Sequence, residues 1–234
     1  MTNISTSNLP GGITNAVLES ALSSFNGMDP TVNHTYFNDF DTFEAGDWTS
    51  TATGSPTNGV IAGDGGLLSL INTASNGDLD SLQLKAATFA LVAGNKWWFK
   101  ARFDISNATN AAIILGLIQT TTTPLTVTDG VYFSKAAAST QLTAKVAKSS
   151  TISTLNVATL ANTTYLNVGM HYDGGSSGNI VVYLNNTRIG VVPVTNMPTA
   201  NLNLTLAVSN GTAAANTLNV DYVFVSTERP STNL

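Results

Sequence analysis

Apolar and polar residues alternate most cleanly in KWWFKARFDI (Lys96–Ile105). Trp97, Phe99, Ala101, Phe103 and Ile105 point one way; Lys96, Trp98, Lys100, Arg102 and Asp104 point the other. A period of two predicts a strand with one buried and one polar face. AAIILGLIQ (Ala111–Gln119) is apolar on both faces, which predicts a central strand covered on both sides, with Gly116 marking a bulge or close packing. DGVYFS, QLTAKVAK, TYLNVGMHYD, GNIVVYLN, NLNLTLAVS and TLNVDYVFVS continue the series. Leu202, Leu204, Leu206 and Val208 form an inner row, and Asn203, Thr205 and Ala207 an outer one. In the last segment Leu218, Val220, Tyr222 and Phe224 are expected on one face. His171 is expected opposite Met170 and Tyr172. Gly174, Gly175 and Gly178 supply a tight connection and Asn185-Asn186 the next hairpin turn. Thr49–Gly59 reads as a polar loop.

Residues 1–34 follow another period. ITNAVLESALSSF places Ile13, Val17, Leu18, Ala21, Leu22 and Phe25 at helical spacings, after Gly11-Gly12 and before Asn26-Gly27. We read an arm with one short amphipathic helix, packed on its own domain or on a neighbouring subunit. Residues 35–234 form one domain. Strands recur with turns every eight to twelve residues or so, and no second helical pattern interrupts them. The fold class is all-β: an antiparallel jelly-roll β-sandwich behind an arm.

Composition strengthens this reading. Charged residues make up 10 % of the 234, far below the usual quarter, so Thr, Ser and Asn must supply the polar surface. The net charge of −5 and the lack of a basic run exclude a nucleic-acid partner. There is no cysteine, so disulfides, thiolate metal sites and cysteine nucleophiles are excluded. No apolar run reaches the roughly 18 residues of a membrane helix, and no leader pattern opens the chain. Synthesis in a cytoplasm is expected. Seven Asn-x-Ser/Thr matches (Asn3, Asn33, Asn107, Asn162, Asn185, Asn203, Asn210) are read as chance in an Asn- and Thr-rich chain.

Catalytic chemistry finds little to work with. Glycoside hydrolysis needs two carboxylates across a groove. The candidate pairs Asp39/Asp41, Asp78/Asp80 and Glu44/Asp47 sit among turn residues, and no E-x-D-x-x-E pattern occurs. His34 and His171 are too few for a zinc site, and no G-x-S-x-G elbow accompanies them. The protein is therefore not expected to be an enzyme, and no cofactor is expected. Calcium is the one ion for which ligands cluster, at Asn38, Asp39, Asp41, Glu44, Asp47 and Asp64, but the EF-hand spacing fails at Glu44. Trp98, on the polar face of its strand, and Trp48 are the candidate sugar platforms. For Trp98 the favoured alternative is cover by a neighbouring element or subunit. A face of Thr, Asn, Ala and Val is also easily desolvated and leaves sheet edges without lysine, which argues for an assembled state.

YFNDFDTFEAGDW, KWWFKARFDI, TPLTVTDGVYF, YDGGSSGNIVVYLNNTRIG and VDYVFVSTER, in that order, resemble a group of tailed-bacteriophage virion structural proteins with a concanavalin-A-like (laminin-G-like) jelly roll. The resemblance spans about Tyr36 to Arg229. It implies a capsid decoration or cement protein on the exterior of the head, made in the host cytoplasm. Its partners would be the major capsid protein and itself, as a homotrimer, without nucleic acid or membrane. Ile13, Val17, Leu18, Leu22, Phe25 and Trp98 are the candidate contacts with a subunit or the capsid. The alternative is a fibre or spike module that binds a host glycan. The resemblance brings no catalytic, cofactor or metal residue with it.

Overall fold

A computed structural model describes residues 32–175 and 178–229. Fifteen strands alternate with turns: β1 (Asn33–Asn38), β2 (Trp48–Thr53), β3 (Thr57–Ile61), β4 (Leu67–Ile71), β5 (Leu79–Leu84), β6 (Trp97–Ile105), β7 (Ala111–Ile118), β8 (Gly130–Lys135), β9 (Gln141–Lys148), β10 (Thr151–Thr159), β11 (Leu166–Tyr172), β12 (Asn179–Leu184), β13 (Thr187–Pro193), β14 (Asn203–Asn210) and β15 (Thr217–Glu228). One sheet runs β13-β12-β11-β6-β15-β4-β3, with β1 also paired to β15; the other runs β10-β9-β8-β7-β14-β5-β2. All pairings between strands are antiparallel. The expected boundary at residue 35 falls within β1. The expected arm helix, with Ile13, Val17, Leu18, Leu22 and Phe25, lies outside the described residues.

Between the sheets lies one apolar core. Trp97, Phe99, Ala101, Phe103 and Ile105 of β6 meet Leu204, Leu206 and Val208 of β14 and Val131 and Phe133 of β8 in it. The alternation read from β6 and β14 is the alternation found. β7 is buried at every position and lies between β14 and β8. Its inner residues join the core. Ile114 and Ile118, on the other side, pack with Tyr132, Ala147, Ala207 and Val127 of the β7–β8 connection. Gly116 marks close packing: a Cβ there would lie 2.6 Å from the Tyr132 Cα, and its φ of +152° is one that side chains rarely adopt. Asn185 and Asn186 both take positive φ, as a two-residue hairpin turn of this hand requires.

Two expectations are corrected. Thr49–Gly59 is not a loop but contains most of β2 and the start of β3, the last strands of their sheets. An edge strand with exposed faces needs no apolar alternation, and threonine favours extended backbone. In β15, Leu218 and Val220 face the core but Tyr222 and Phe224 do not. Opposite β6 the register slips between Val220 and Tyr222, so Val223 and Val225 take over the inner row. The extra residue of a bulge reverses the facing of everything after it.

Buried asparagines tie one end of the sandwich. Asn72 Nδ2 donates to Asp78 O, Val208 O and Asn210 Oδ1 at 3.1–3.3 Å, and Asn216 Nδ2 donates to the same Oδ1 at 2.7 Å. Asn210 Nδ2 donates to Thr73 O and Ser75 O. These amides satisfy the carbonyls of the β4–β5 crossover, where no ladder reaches. Asn33, Asn203 and Asn210 are buried, which supports reading those three glycosylation-like matches as chance.

Gly116→Ala is expected to lower stability by about 1–3 kcal/mol, because the new methyl meets backbone that cannot give way. The check is the urea midpoint at unchanged m-value; an unaltered midpoint would show that β7 and β8 are not packed so closely.

Candidate functional site

The outer face of the β6-containing sheet gathers two of the side chains singled out from the sequence, Trp98 and His171, among other polar and aromatic groups. β6 directs Trp98, Lys100, Arg102 and Asp104 outward, since their neighbours fill the core. Register places His171 of β11 and Ser226 of β15 on either side of Trp98. The Trp98 indole stacks on the His171 imidazole, centroids 5.4 Å apart and planes 12° apart. Lys100 Nζ stands 5.8 Å from the Tyr222 ring, and the Arg102 guanidinium 4.2 Å from the Tyr165 ring while it pairs with Asp221. Further along, Ser69 Oγ donates to Asn219 Oδ1 and Asn219 Nδ2 to Asp104 Oδ1, each at 2.8 Å. Asn167 Nδ2 donates to the Tyr222 hydroxyl at 2.6 Å.

This face is a ladder of satisfied cross-strand pairs. Trp98 is only 2 % exposed, and Tyr183 and Phe224, also directed outward, are buried with it. Trp98 is thus not displayed as an open sugar platform. Trp48 is not one either: it is buried, edge-on to Tyr36 at 6.3 Å and tilted to Phe43 at 6.4 Å. Burial draws the His171 imidazole down to about 4, with Lys96 adding to this and Asp173 opposing it. His34 stacks on Phe89 at 4.7 Å, and burial lowers its pKa too.

Three of the six candidate carboxylates, Asp80, Asp78 and Glu44, have structural partners. Asp80 is buried beneath the Asn58 amide, which donates at 3.1 and 3.2 Å to its two oxygens; desolvation raises its pKa and that amide opposes the rise. Asp78 accepts from Thr73 Oγ1. Glu44 accepts from Gly46 N at 3.3 Å and caps the 3-10 turn Ala45–Asp47. Desolvation and then the charges of Asp221, Asp41 and Asp64 raise the pKa of Asp39. Among the described residues no cluster of three or more His, Asp or Glu side chains is close enough to hold a metal ion.

The opposite outer face, on the β7-containing sheet, was not singled out from the sequence. Tyr132 of β8 and Lys145 of β9 are directly paired there, outward from Val131, Phe133, Ala144 and Val146. The alternation in QLTAKVAK indicated the facing of Lys145; its partner required the register. No carboxylate stands among the outward strand residues of this face.

No protein-family model matches the chain, and no curated protein sequence matches it. Solved structures share its fold. An endo-1,3-β-glucanase from Streptomyces sioyaensis is similar at a TM-score of 0.62 and 12 % identity, covering 86 % of this chain and 99 % of that one. The Emp47p carbohydrate recognition domain matches at 0.60 and 12 %, covering 87 % and 100 %. A protein of unknown function from Shewanella oneidensis MR-1 matches at 0.60 and 11 %, covering 84 % and 87 %. The fold is the concanavalin-A-like jelly roll of lectin and glucanase domains; identities this low carry no further.

Trp98→Ala is expected to cost about 3–5 kcal/mol, as for a buried aromatic, in thermal or urea unfolding. A loss below about 0.5 kcal/mol would place the indole in solvent. His171 predicts an acid weakness. Its unfolded pKa is near 6.5 and its folded pKa is depressed, so its contribution is complete above pH 6.5 and fades as the pH falls towards 4. The stability gap between the protein and His171→Gln should therefore narrow across that window, by on the order of 3 kcal/mol. A gap independent of pH would contradict a buried neutral imidazole.

Proposed function

We propose that this protein is a non-enzymatic structural component of a tailed-bacteriophage virion, a decoration or cement protein on the outer surface of the head. In this reading it binds the major capsid protein as a homotrimer and stabilises the assembled shell. One observation carries the reading. The edge strands β10 (TISTLNVAT), β2 (WTSTAT) and β3 (TNGVI) contain no charged residue and no proline. Proteins that stay monomeric guard such edges with lysine, proline or inward charge. Here Ile152 on β10 and Val60 and Ile61 on β3 are exposed instead. The cross-strand pairs that occupy the outer β6-sheet face, and the lack of outward carboxylates on the β7-sheet strands, also favour a scaffold over a catalyst, and the segments resembling phage virion proteins support the particle. A ligand that binds only the assembled lattice stabilises it by mass action, and three copies joined in a trimer multiply weak contacts.

The second reading is a fibre or spike module that binds host-surface carbohydrate; the carbohydrate recognition domain among the structural relatives favours it. Copy number and position separate the two. Quantitative mass spectrometry and cryo-electron microscopy of purified virions are expected to find this protein in stoichiometric amounts over the head, and heads lacking it to rupture at lower temperature. A few copies confined to the tail, or none, would overturn the decoration reading.

A further inference from the structure

The outer face of the β7-containing sheet holds a cleft of about 200 Å³, lined by Ala112, Ile114, Leu125, Tyr132, Ser134, Lys135 and Lys145 among others. Its volume is below the range usual for drug-sized ligands and suits a molecule the size of one sugar ring. Its chemistry is lopsided. Leu125 of the β7–β8 connection and Ala112 and Ile114 of β7 supply an aliphatic wall. Facing them are two ammonium groups, a phenol and a hydroxyl, with no carboxylate in the lining.

The polar groups differ in how they are committed. Lys135 Nζ donates to Thr109 O at 3.0 Å and to Ala111 O, which fixes a positive charge at one end. Ser134 Oγ is within 3.2 Å of Thr143 Oγ1. Tyr132 and Lys145 are directly opposed across the β8–β9 ladder. Among the described residues neither the Tyr132 hydroxyl nor the Lys145 ammonium has a hydrogen-bond or ionic partner, although Tyr132 is only 3 % exposed. Desolvation is the single cause that shifts either group, pushing the phenol up to about 12 and the ammonium down. Tyr132 is buried as a residue, but its hydroxyl oxygen is not sealed from solvent and Lys145 is half-buried, so both groups open into the cleft, where a ligand acceptor can meet them.

We propose that this cleft is a binding site for a carboxylate-bearing ligand about the size of a monosaccharide, with Lys145 and Tyr132 donating to the carboxylate and the body lying on Ala112, Ile114 and Leu125. Lys135 adds a fixed second charge. The overall charge of −5 does not prevent this: at physiological ionic strength remote charges are screened beyond about 8 Å, and the two lysines dominate locally. The site deepens the carbohydrate reading, on which it rests only for the identity of the ligand body. It is independent of the decoration reading.

The test titrates the full-length protein with sodium glucuronate, with glucose as its neutral counterpart and sodium hexanoate as an apolar acid, and follows backbone amide shifts by NMR. Saturable millimolar shifts confined to residues 112–114, 132–137 and 145 are expected with an acid and not with glucose. Lys145→Met and Tyr132→Phe are each expected to weaken that binding at least tenfold while the remaining spectrum stays folded. The tighter of the two acids identifies the body as sugar-like or apolar. Equal binding of glucose, no saturable shift with either acid, or binding that survives both substitutions would overturn the proposal, and none of these results bears on where in the virion the protein sits.

Discussion

Between Val220 and Tyr222 the last strand carries one residue more than its partner, and the eight-stranded sheet is arranged around that step. Before it, β15 pairs with β4 through Thr217–Val220; after it, β1 takes that edge from Val223 to Glu228. β6 follows the other edge throughout. The bulge lets one twelve-residue strand serve two successive neighbours, and it turns Asp221 towards Arg102, where the two pair. It also sends Tyr222 and Phe224 outward to join Lys100 and the Trp98 row. The Arg102–Asp221 and Lys100–Tyr222 contacts of the outer ladder are therefore a consequence of a single inserted residue.

A chain with so few charges must satisfy its buried polar groups with neutral ones. The asparagines at the β4–β5 end donate to backbone carbonyls of β14 and of the crossover, and the Asn58–Asp80 contact bridges β3 and β5 across the layers. Neutral donors carry a smaller desolvation cost than ions and remain indifferent to pH and salt. The composition that first indicated β-structure also supplies the material that locks its ends. It leaves the same uncharged surface on the edge strands β10, β2 and β3, whereas β13 carries Arg188 and Pro193.

Much of this architecture is legible in the order of residues. The alternation in Lys96–Ile105, the continuous apolar run of β7, the inner row of β14 and the Asn-Asn turn all follow from local periodicity and turn chemistry. What periodicity cannot show is an event in the partner strand: nothing in TLNVDYVFVS marks where register slips. The edge strands β2 and β3 escaped because a strand wetted on both faces carries no apolar pattern. The outward direction of Trp98 was legible and its cover by a neighbouring element was the favoured expectation; its stacking partner, His171, required the β6–β11 register. Tyr132 and Lys145 meet only through the β8–β9 register, thirteen residues apart in the chain.

The proposed role has this jelly roll work through its uncharged edges β10, β2 and β3 as a structural partner in an assembly. Hydrogen exchange of the β10 and β3 edge amides, in the free protein and in the intact particle, tests it most directly, because ladder pairing with a neighbour protects those amides and little else. The account predicts strong protection of at least one of these edges in the particle and fast exchange in isolation at a concentration too low for self-association. Equal exchange in both states would contradict it.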